Sequence, residues 1–152
     1  MSHTARLTEL GITLPDAPMP AANYVPAVRS GDLLFVSGQV SADADGLMVG
    51  KLGADATLEQ GVAAARTCAL SLLAQVRAAC DGDLDRLEQV VKLTGFVNST
   101  PDFGDQPKVV NGASDLLVEI LGDAGKHSRS AVSAGSLPFG VMVEIEGIFR
   151  VK

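Results

Sequence analysis

The sequence has no tryptophan, one tyrosine, two cysteines and two histidines among its 152 residues. Aromatic side chains make up 4%, and 18 acidic residues outnumber 12 basic ones for a net charge of −6. Such a chain lacks both the excess positive charge and the stacking rings on which nucleic-acid binding draws. Cys68, Cys80, His3 and His127 fall at no spacing that suits a metal, so a zinc centre is not expected. No run of eighteen apolar residues occurs, and no membrane-spanning helix is expected. The opening stretch MSHTARLTELGITLP is polar and mixed, unlike a secretory leader. A cytoplasmic, reducing compartment follows as the expectation, with both cysteines as thiols. They lie twelve residues apart on one predicted helix, about 18 Å along its axis and too far for a disulfide.

What is present is apolar mass. Hydrophobic residues make up 47% of the chain, and this length suits a single domain able to bury a core without disulfides or metals. A short helix over Thr4–Leu10 ends at Gly11. Pro15, Pro18, Pro20 and Pro26 then punctuate an extended run suited to a sheet edge or a surface wrap. Val25–Arg29 and Leu33–Val40 flank Ser30-Gly31-Asp32, the signal of a hairpin. The second of these, LLFVSGQV, is apolar enough at its start to suggest burial on both faces. Gly38 inside it marks a bulge or a close approach to the backbone. Ser41–Gly53 reads as loop.

Thr57-Leu-Glu-Gln60 is a capping box. Leu58, Val62, Ala65, Ala69, Leu72, Val76 and Cys80 follow it at helical spacing, until Asp81-Gly82-Asp83 stops the helix. Val90–Val97 reads as a strand and Val109–Leu121 as a second helix ended by Gly122 and Gly125. Arg129–Ala134 and Val141–Val151 are two more strands, expected to pair as a second hairpin. The order β-β-α-β-α-β-β predicts an α+β domain with two helices on one sheet face.

Alternation in VMVEIEGI sends Val141, Val143 and Ile145 one way and Met142, Glu144, Glu146 and Ile148 the other. The plain account of Glu144 and Glu146 is a solvated face. With Met142, Ile148 and Phe149 about them, the other account is an apolar subunit interface that holds a carboxyl group of raised pKa. Arg129 begins a strand of small residues, where a guanidinium either makes a surface ion pair or reaches a ligand carboxylate in two-pronged fashion. His3 and His127 read as loop or surface residues, and Cys68 and Cys80 as thiols with no activating neighbour. The glycines match no phosphate-binding pattern, and Arg66, Arg77, Lys92 and Lys108 are scattered.

Tyr24-Val-Pro-Ala-Val28, Leu34-Phe-Val-Ser-Gly-Gln39, Val90-Val-Lys-Leu93 with Phe96-Val97, Arg129-Ser-Ala-Val132, Leu137-Pro138 and Val143-Glu-Ile-Glu146 occur in this order. The ordered set resembles the RidA family, also called YjgF or L-PSP, over roughly residues 20–151, with residues 1–19 as an N-terminal extension. The resemblance implies a chorismate-mutase-like fold and a homotrimer whose sheets form a central barrel, with active sites in the clefts between subunits. It also implies hydrolytic deamination of reactive 2-imino acids to 2-keto acids and ammonia, with no cofactor. In this family's terms Arg129 binds the substrate carboxylate and Glu144 positions or activates water. Tyr24 lines the cleft, Gly38 offers its backbone, Asn111 lies near the cleft, and Ala131 stands where many members carry a cysteine. Ser133 stands where many members carry an acid. A binder or sensor of small carboxylates is the alternative, and endoribonuclease activity ranks last against the acidic charge.

Overall fold

The computed structural model describes residues 1–20 and 22–152. Helix α1 (His3–Glu9) is capped by the Ser2 hydroxyl, which accepts from the Ala5 amide. A proline-punctuated segment leads to β1 (Ala27–Ser30) and β2 (Leu33–Val40), an antiparallel pair turned at Gly31 with φ +64°. The stretch read as loop contains a small hairpin, β3 (Ala42–Asp43) and β4 (Gly46–Leu47). Two-residue strands carry too little alternation to be legible.

Helix α2 (Leu58–Ala79) begins with the expected reciprocal cap: the Thr57 hydroxyl accepts from the Gln60 amide, and the Gln60 side chain accepts from the Thr57 amide. Then come β5 (Leu87–Asn98), α3 (Gln106–Leu121), β6 (Ser128–Ala134) and β7 (Val143–Val151). Gly112 of α3 sits against the Val62 carbonyl of α2 and leaves no room for a Cβ, so the two helices pack backbone-close. Together they cover one face of the sheet. Leu72, Val76, Leu116 and Leu117 meet Leu93, Val97, Ile145 and Phe149 in the core, all of them fully buried. Leu7 of α1 and Leu14 join the same cluster. Cys68 is buried, with its Sγ 3.6 Å from the Val143 carbonyl oxygen, and Cys80 is buried at the end of α2.

The strand order is β1-β2-β7-β5-β6. This corrects the second hairpin: β6 does not pair with β7. The β5–α3–β6 crossover returns β6 parallel to β5, and β7 enters between β2 and β5, antiparallel to both. The physical reason lies in composition. β7 buries Val143, Ile145, Gly147, Phe149 and Val151 in alternation, which suits a central strand, whereas the small polar β6 suits an edge. The linker from Gly135 to Met142 makes the crossing through a 3₁₀ turn at Pro138–Gly140, with Phe139 at φ +60°.

Two further expectations change. Phe149 points into the core and Met142, just ahead of β7, is also buried there, so neither stands beside the acids. Phe149 has the parity of Val143, and Met142 precedes the regular part of the strand. Phe35 is 43% exposed, so β2 is covered on one face alone within the chain. Phe35 shares the open sheet face with Val28, which pairs with it across β1, and with Ile148, which pairs with it across β7.

Candidate active site

β2 is kinked at Gly38. The β2–β7 register shifts between Val36 and Gln39, the bulge that the strand glycine signalled. Beyond it Val40 pairs with Glu144, and the Glu144 side chain lies back over Gly38. A Cβ added at Gly38 would stand 2.7 Å from Glu144 Oε2 and 2.9 Å from its Cδ, so glycine at 38 makes the space in which the carboxyl group rests. Burial, and secondarily the Glu146 carboxylate two residues on, pushes the Glu144 pKa above the ordinary glutamate value.

This carboxyl group faces a cavity of about 510 Å³. Tyr24, Gly38, Val40, Leu47, Phe139 and Glu144 are among its walls, with Pro18 and Met19 of the proline-rich segment closing one side. Amides hold the segment there: Gln75 of α2 donates through Nε2 to the Pro18 carbonyl at 2.6 Å and to Gln39 Oε1 at 3.3 Å. Downstream, Ser37 ties Val25 and Pro26 to β2 through its hydroxyl and its amide, which fixes where Tyr24 enters. Among the described residues lining the cavity, none is cationic.

Three of the expected site residues, Tyr24, Gly38 and Glu144, therefore share one cavity. Arg129, Asn111 and Ala131 are elsewhere. In the sheet register Arg129 pairs with Leu93, which is on the helix-covered face, and Glu144 pairs with Phe96 on the open face. Two strand spacings separate β6 from β7, about 10 Å, and three residues along β5 add about another 10 Å. At the edge strand the Arg129 guanidinium is gripped by α3, donating from Nη1 to Ser114 Oγ at 2.9 Å and from Nη2 to the Pro107 carbonyl at 3.1 Å. Asn111 falls between Pro107 and Ser114 at helical spacing, on the same stripe of α3. Ala131 follows Arg129 on its side of β6 and packs against the core.

Ser114 and His127 went unnoticed as site residues in the sequence. They lie on separate elements, thirteen residues apart, and meet only through the fold, with Ser114 Oγ 2.9 Å from His127 Nε2. The Pro18–Met19 wall and the Gln39–Gln75 pair were likewise invisible to pattern reading. Lys51, a third unforeseen residue, donates from Nζ to Asn98 Oδ1 at 2.7 Å and to the Gly135 carbonyl at 2.5 Å, which pins the start of the β6–β7 linker.

The chain therefore presents two separate features: a cavity with one carboxyl group of raised pKa and no cation among its described lining, and an arginine fork on a sheet edge. The family model described as "YjgF/chorismate_mutase-like, putative endoribonuclease" matches residues 4–147. The chain belongs to the YjgF family. Protein TCP17 of Trypanosoma cruzi is 51% identical over 150 residues, spanning 97% of this chain and 93% of that protein. The crystal structure of Atu1372 from Agrobacterium tumefaciens superposes with a TM-score of 0.90 at 45% identity, covering 99% of this chain and 94% of that one. Two more distant relatives are described by an activity or a bound molecule. A 2-iminobutanoate/2-iminopropanoate deaminase of Dermatophagoides farinae is 26% identical over 93% of this chain and 95% of its own length. Escherichia coli TdcF, solved with bound serine, is 26% identical with a TM-score of 0.62, covering 90% of this chain and 93% of that one. Among the described residues, no helix is long and apolar enough to cross a membrane.

Proposed function

We propose that this YjgF-family chain is a hydrolytic deaminase of 2-imino acids, working as a cytoplasmic homotrimer with its active sites between subunits. The observation that carries the reading is the division of the site. The cavity holds a carboxyl group of raised pKa without a positive partner, and the matching cation, Arg129, is displayed at the far edge of the sheet on the other face. A second copy supplies at each cavity what the first cannot. Arg129 of one subunit binds the substrate carboxylate, while Glu144, Tyr24 and the Gly38 backbone of its neighbour surround the imine. The deaminase relative and the serine bound to TdcF support a small α-carboxylate as ligand.

The chemistry asked of these groups is modest, because an imine carbon is already electrophilic. Water attacks C2 as Glu144 takes its proton, and the C=N π pair passes to nitrogen. With the imine nitrogen protonated at the start, this gives a neutral carbinolamine. Glu144 returns its proton to the amino group, and the C–N bond breaks to release ammonia. The C2 hydroxyl becomes the ketone as its proton passes to the freed Glu144 carboxylate, from which ammonia or water carries it away. A carboxyl group whose pKa is raised toward neutrality is suited to both transfers. Arg129 fixes the carboxylate so that C2 lies under the water.

The test generates 2-imino acids in situ with an amino-acid oxidase and follows their capture by semicarbazide. Wild type is expected to suppress semicarbazone formation and Arg129→Ala to leave it unchanged. No suppression by wild-type protein across the imino acids tried would sink the deaminase. Retained 2-keto acid binding in that case would make the chain a carboxylate binder, and salt-sensitive RNA cleavage would favour the ribonuclease name.

A further inference from the structure

The Arg129 guanidinium is the end of a hydrogen-bonded chain whose direction is fixed at its other end. His127 Nδ1 lies 2.6 Å from the Gly125 carbonyl oxygen. A carbonyl oxygen can only accept, so Nδ1 carries the proton and donates. In the neutral ring Nε2 is then an acceptor. Its neighbour at 2.9 Å is the Ser114 hydroxyl, which must donate. With its hydrogen committed to the ring, Ser114 Oγ turns its lone pairs to Arg129 Nη1, 2.9 Å away. The sequence runs Arg129 N–H to Ser114 O–H to His127 ring to Gly125 carbonyl, each donor with one acceptor. The Pro107 carbonyl fixes the other prong of the guanidinium at 3.1 Å.

Gly125, where the chain is anchored, is packed tightly. It packs against the Leu117 carbonyl and the Val118 backbone of α3, too close to admit a Cβ. The imidazole is therefore clamped between the 3₁₀ turn Gly122–Gly125 and α3.

We propose that Ser114 and His127 are positioning residues that hold the Arg129 fork in its carboxylate-binding orientation, with His127 serving in the neutral Nδ1–H form. The inference rests on the carboxylate-binding role assigned to Arg129 above. A protonated ring would turn Nε2 into a donor, reverse the Ser114 hydroxyl and set a second cation beside the guanidinium. Burial first, and then the Arg129 charge, hold the His127 pKa below the ordinary histidine value, against the opposing pull of the Gly125 hydrogen bond. Other charged groups on the surrounding elements are Asp123 and Lys126 in the preceding turn, Lys108, Asp115 and Glu119 on α3, and Lys92 on β5. Asp123 and Lys126 pair with each other at 2.9 Å, and Arg129 is the charge that acts on the ring.

Two measurements test this on the whole protein. The first is ¹⁵N NMR of the histidine rings, in which His127 should show the Nδ1–H tautomer and titrate below the ordinary histidine range. The Nε2–H tautomer would overturn the proposal. The second is titration with 2-oxobutanoate, the keto-acid probe, alongside imine turnover. Ser114→Ala should weaken binding and raise KM about tenfold, as expected for misplacing one charge-assisted bond, while kcat changes much less. Protonation of His127 should raise the wild-type KM at acid pH. His127→Ala should weaken binding as Ser114→Ala does, and His127→Gln, which has a donor and an acceptor but no titration, should recover most of the loss and abolish that rise. An unchanged dissociation constant and KM in Ser114→Ala, with wild type binding the probe, would overturn positioning and leave the deaminase standing. Binding weakened by Ser114→Ala in a protein without turnover would do the reverse. A wild type that neither binds the probe nor turns over would remove both.

Discussion

Arg129 and Glu144 stand on opposite faces of one sheet, on strands kept apart by β5. With the sheet between them the two side chains diverge, so a carboxylate-and-imine site using both is expected to draw them from two chains. Mixing follows directly. Arg129→Ala and Glu144→Gln should each be inactive alone, and co-assembly at equal ratio should restore about a quarter of the sites, those built from one intact half of each parent. Measured turnover of the refolded mixture checks this, and a dead mixture of assembled trimers would place the site within one subunit.

Arg129 is also a test of fork geometry. Arg129→Lys keeps the charge but cannot satisfy the Pro107 carbonyl, the Ser114 hydroxyl and a ligand together. Its kcat/KM should fall about a hundredfold, nearly as far as in Arg129→Ala, with unfolding temperature little changed. Recovery of most activity by lysine would show that charge alone is used.

Glu144 separates activity from stability. Glu144→Gln should lower kcat by about a hundredfold or more if the group transfers protons. Its effect on stability has the opposite sign. The folded carboxyl group holds its proton more tightly than the unfolded one, so its contribution weakens as pH rises from the ordinary glutamate value through the raised folded value. At neutral pH the glutamine variant should therefore be as stable as wild type or slightly more so. The acid limb of the wild-type rate profile should lie above the ordinary glutamate range. Thermal melts and pH–rate profiles on the same pair check both statements, and a less stable Gln variant with wild-type kcat would refute them together.

Gly38→Ala attacks the same group from beneath. The added methyl would overlap the Glu144 carboxyl group at 2.7 Å and displace it, at a folding cost of about 1–3 kcal/mol if the strand must shift. The activity loss should largely vanish as an additional effect in a Glu144→Gln background, because neighbouring changes that act through one group are not additive. Full additivity in the double mutant would mean that Gly38 matters for another reason.

Gln75 offers a prediction away from the chemistry. Gln75→Ala removes the bond to the Pro18 carbonyl, so protease sensitivity within residues 15–20 should rise while the global melt falls by only a few degrees, about 1 kcal/mol for one lost hydrogen bond. An unaltered cleavage pattern would show that the apolar contacts of Met19 and its prolines hold the segment unaided.

The sequence made local features legible and left non-local pairing obscure. The Thr57–Gln60 cap, the apolar stripe of α2 and the Gly38 bulge are each written within a few neighbouring residues, and each is where it was expected. The family likewise follows from the order of short motifs along the chain. The place of β7 is not local. Its sequence and that of β6 each make a strand, and only the competition among β2, β5 and β6 for its two edges decides the partner. The site divides along the same line. Gly38 and Glu144 are drawn together by strand register, and Tyr24 by the segment leading into β1, whereas His127 looked like an isolated ring because Ser114 reaches it from α3, thirteen residues away.

The insertion of β7 between β2 and β5 bears on how the protein is made. It is the last strand of the five-stranded sheet in chain order, and it lies antiparallel to both of its neighbours. Until residues 143–151 leave the ribosome, β2 and β5 each expose a backbone edge, and Leu93 and Val97 have no Ile145 or Phe149 to pack against. From the emergence of β5 until that of β7, a nascent chain thus carries two open edges and an incomplete core, the condition in which strand-on-strand misassembly competes with folding.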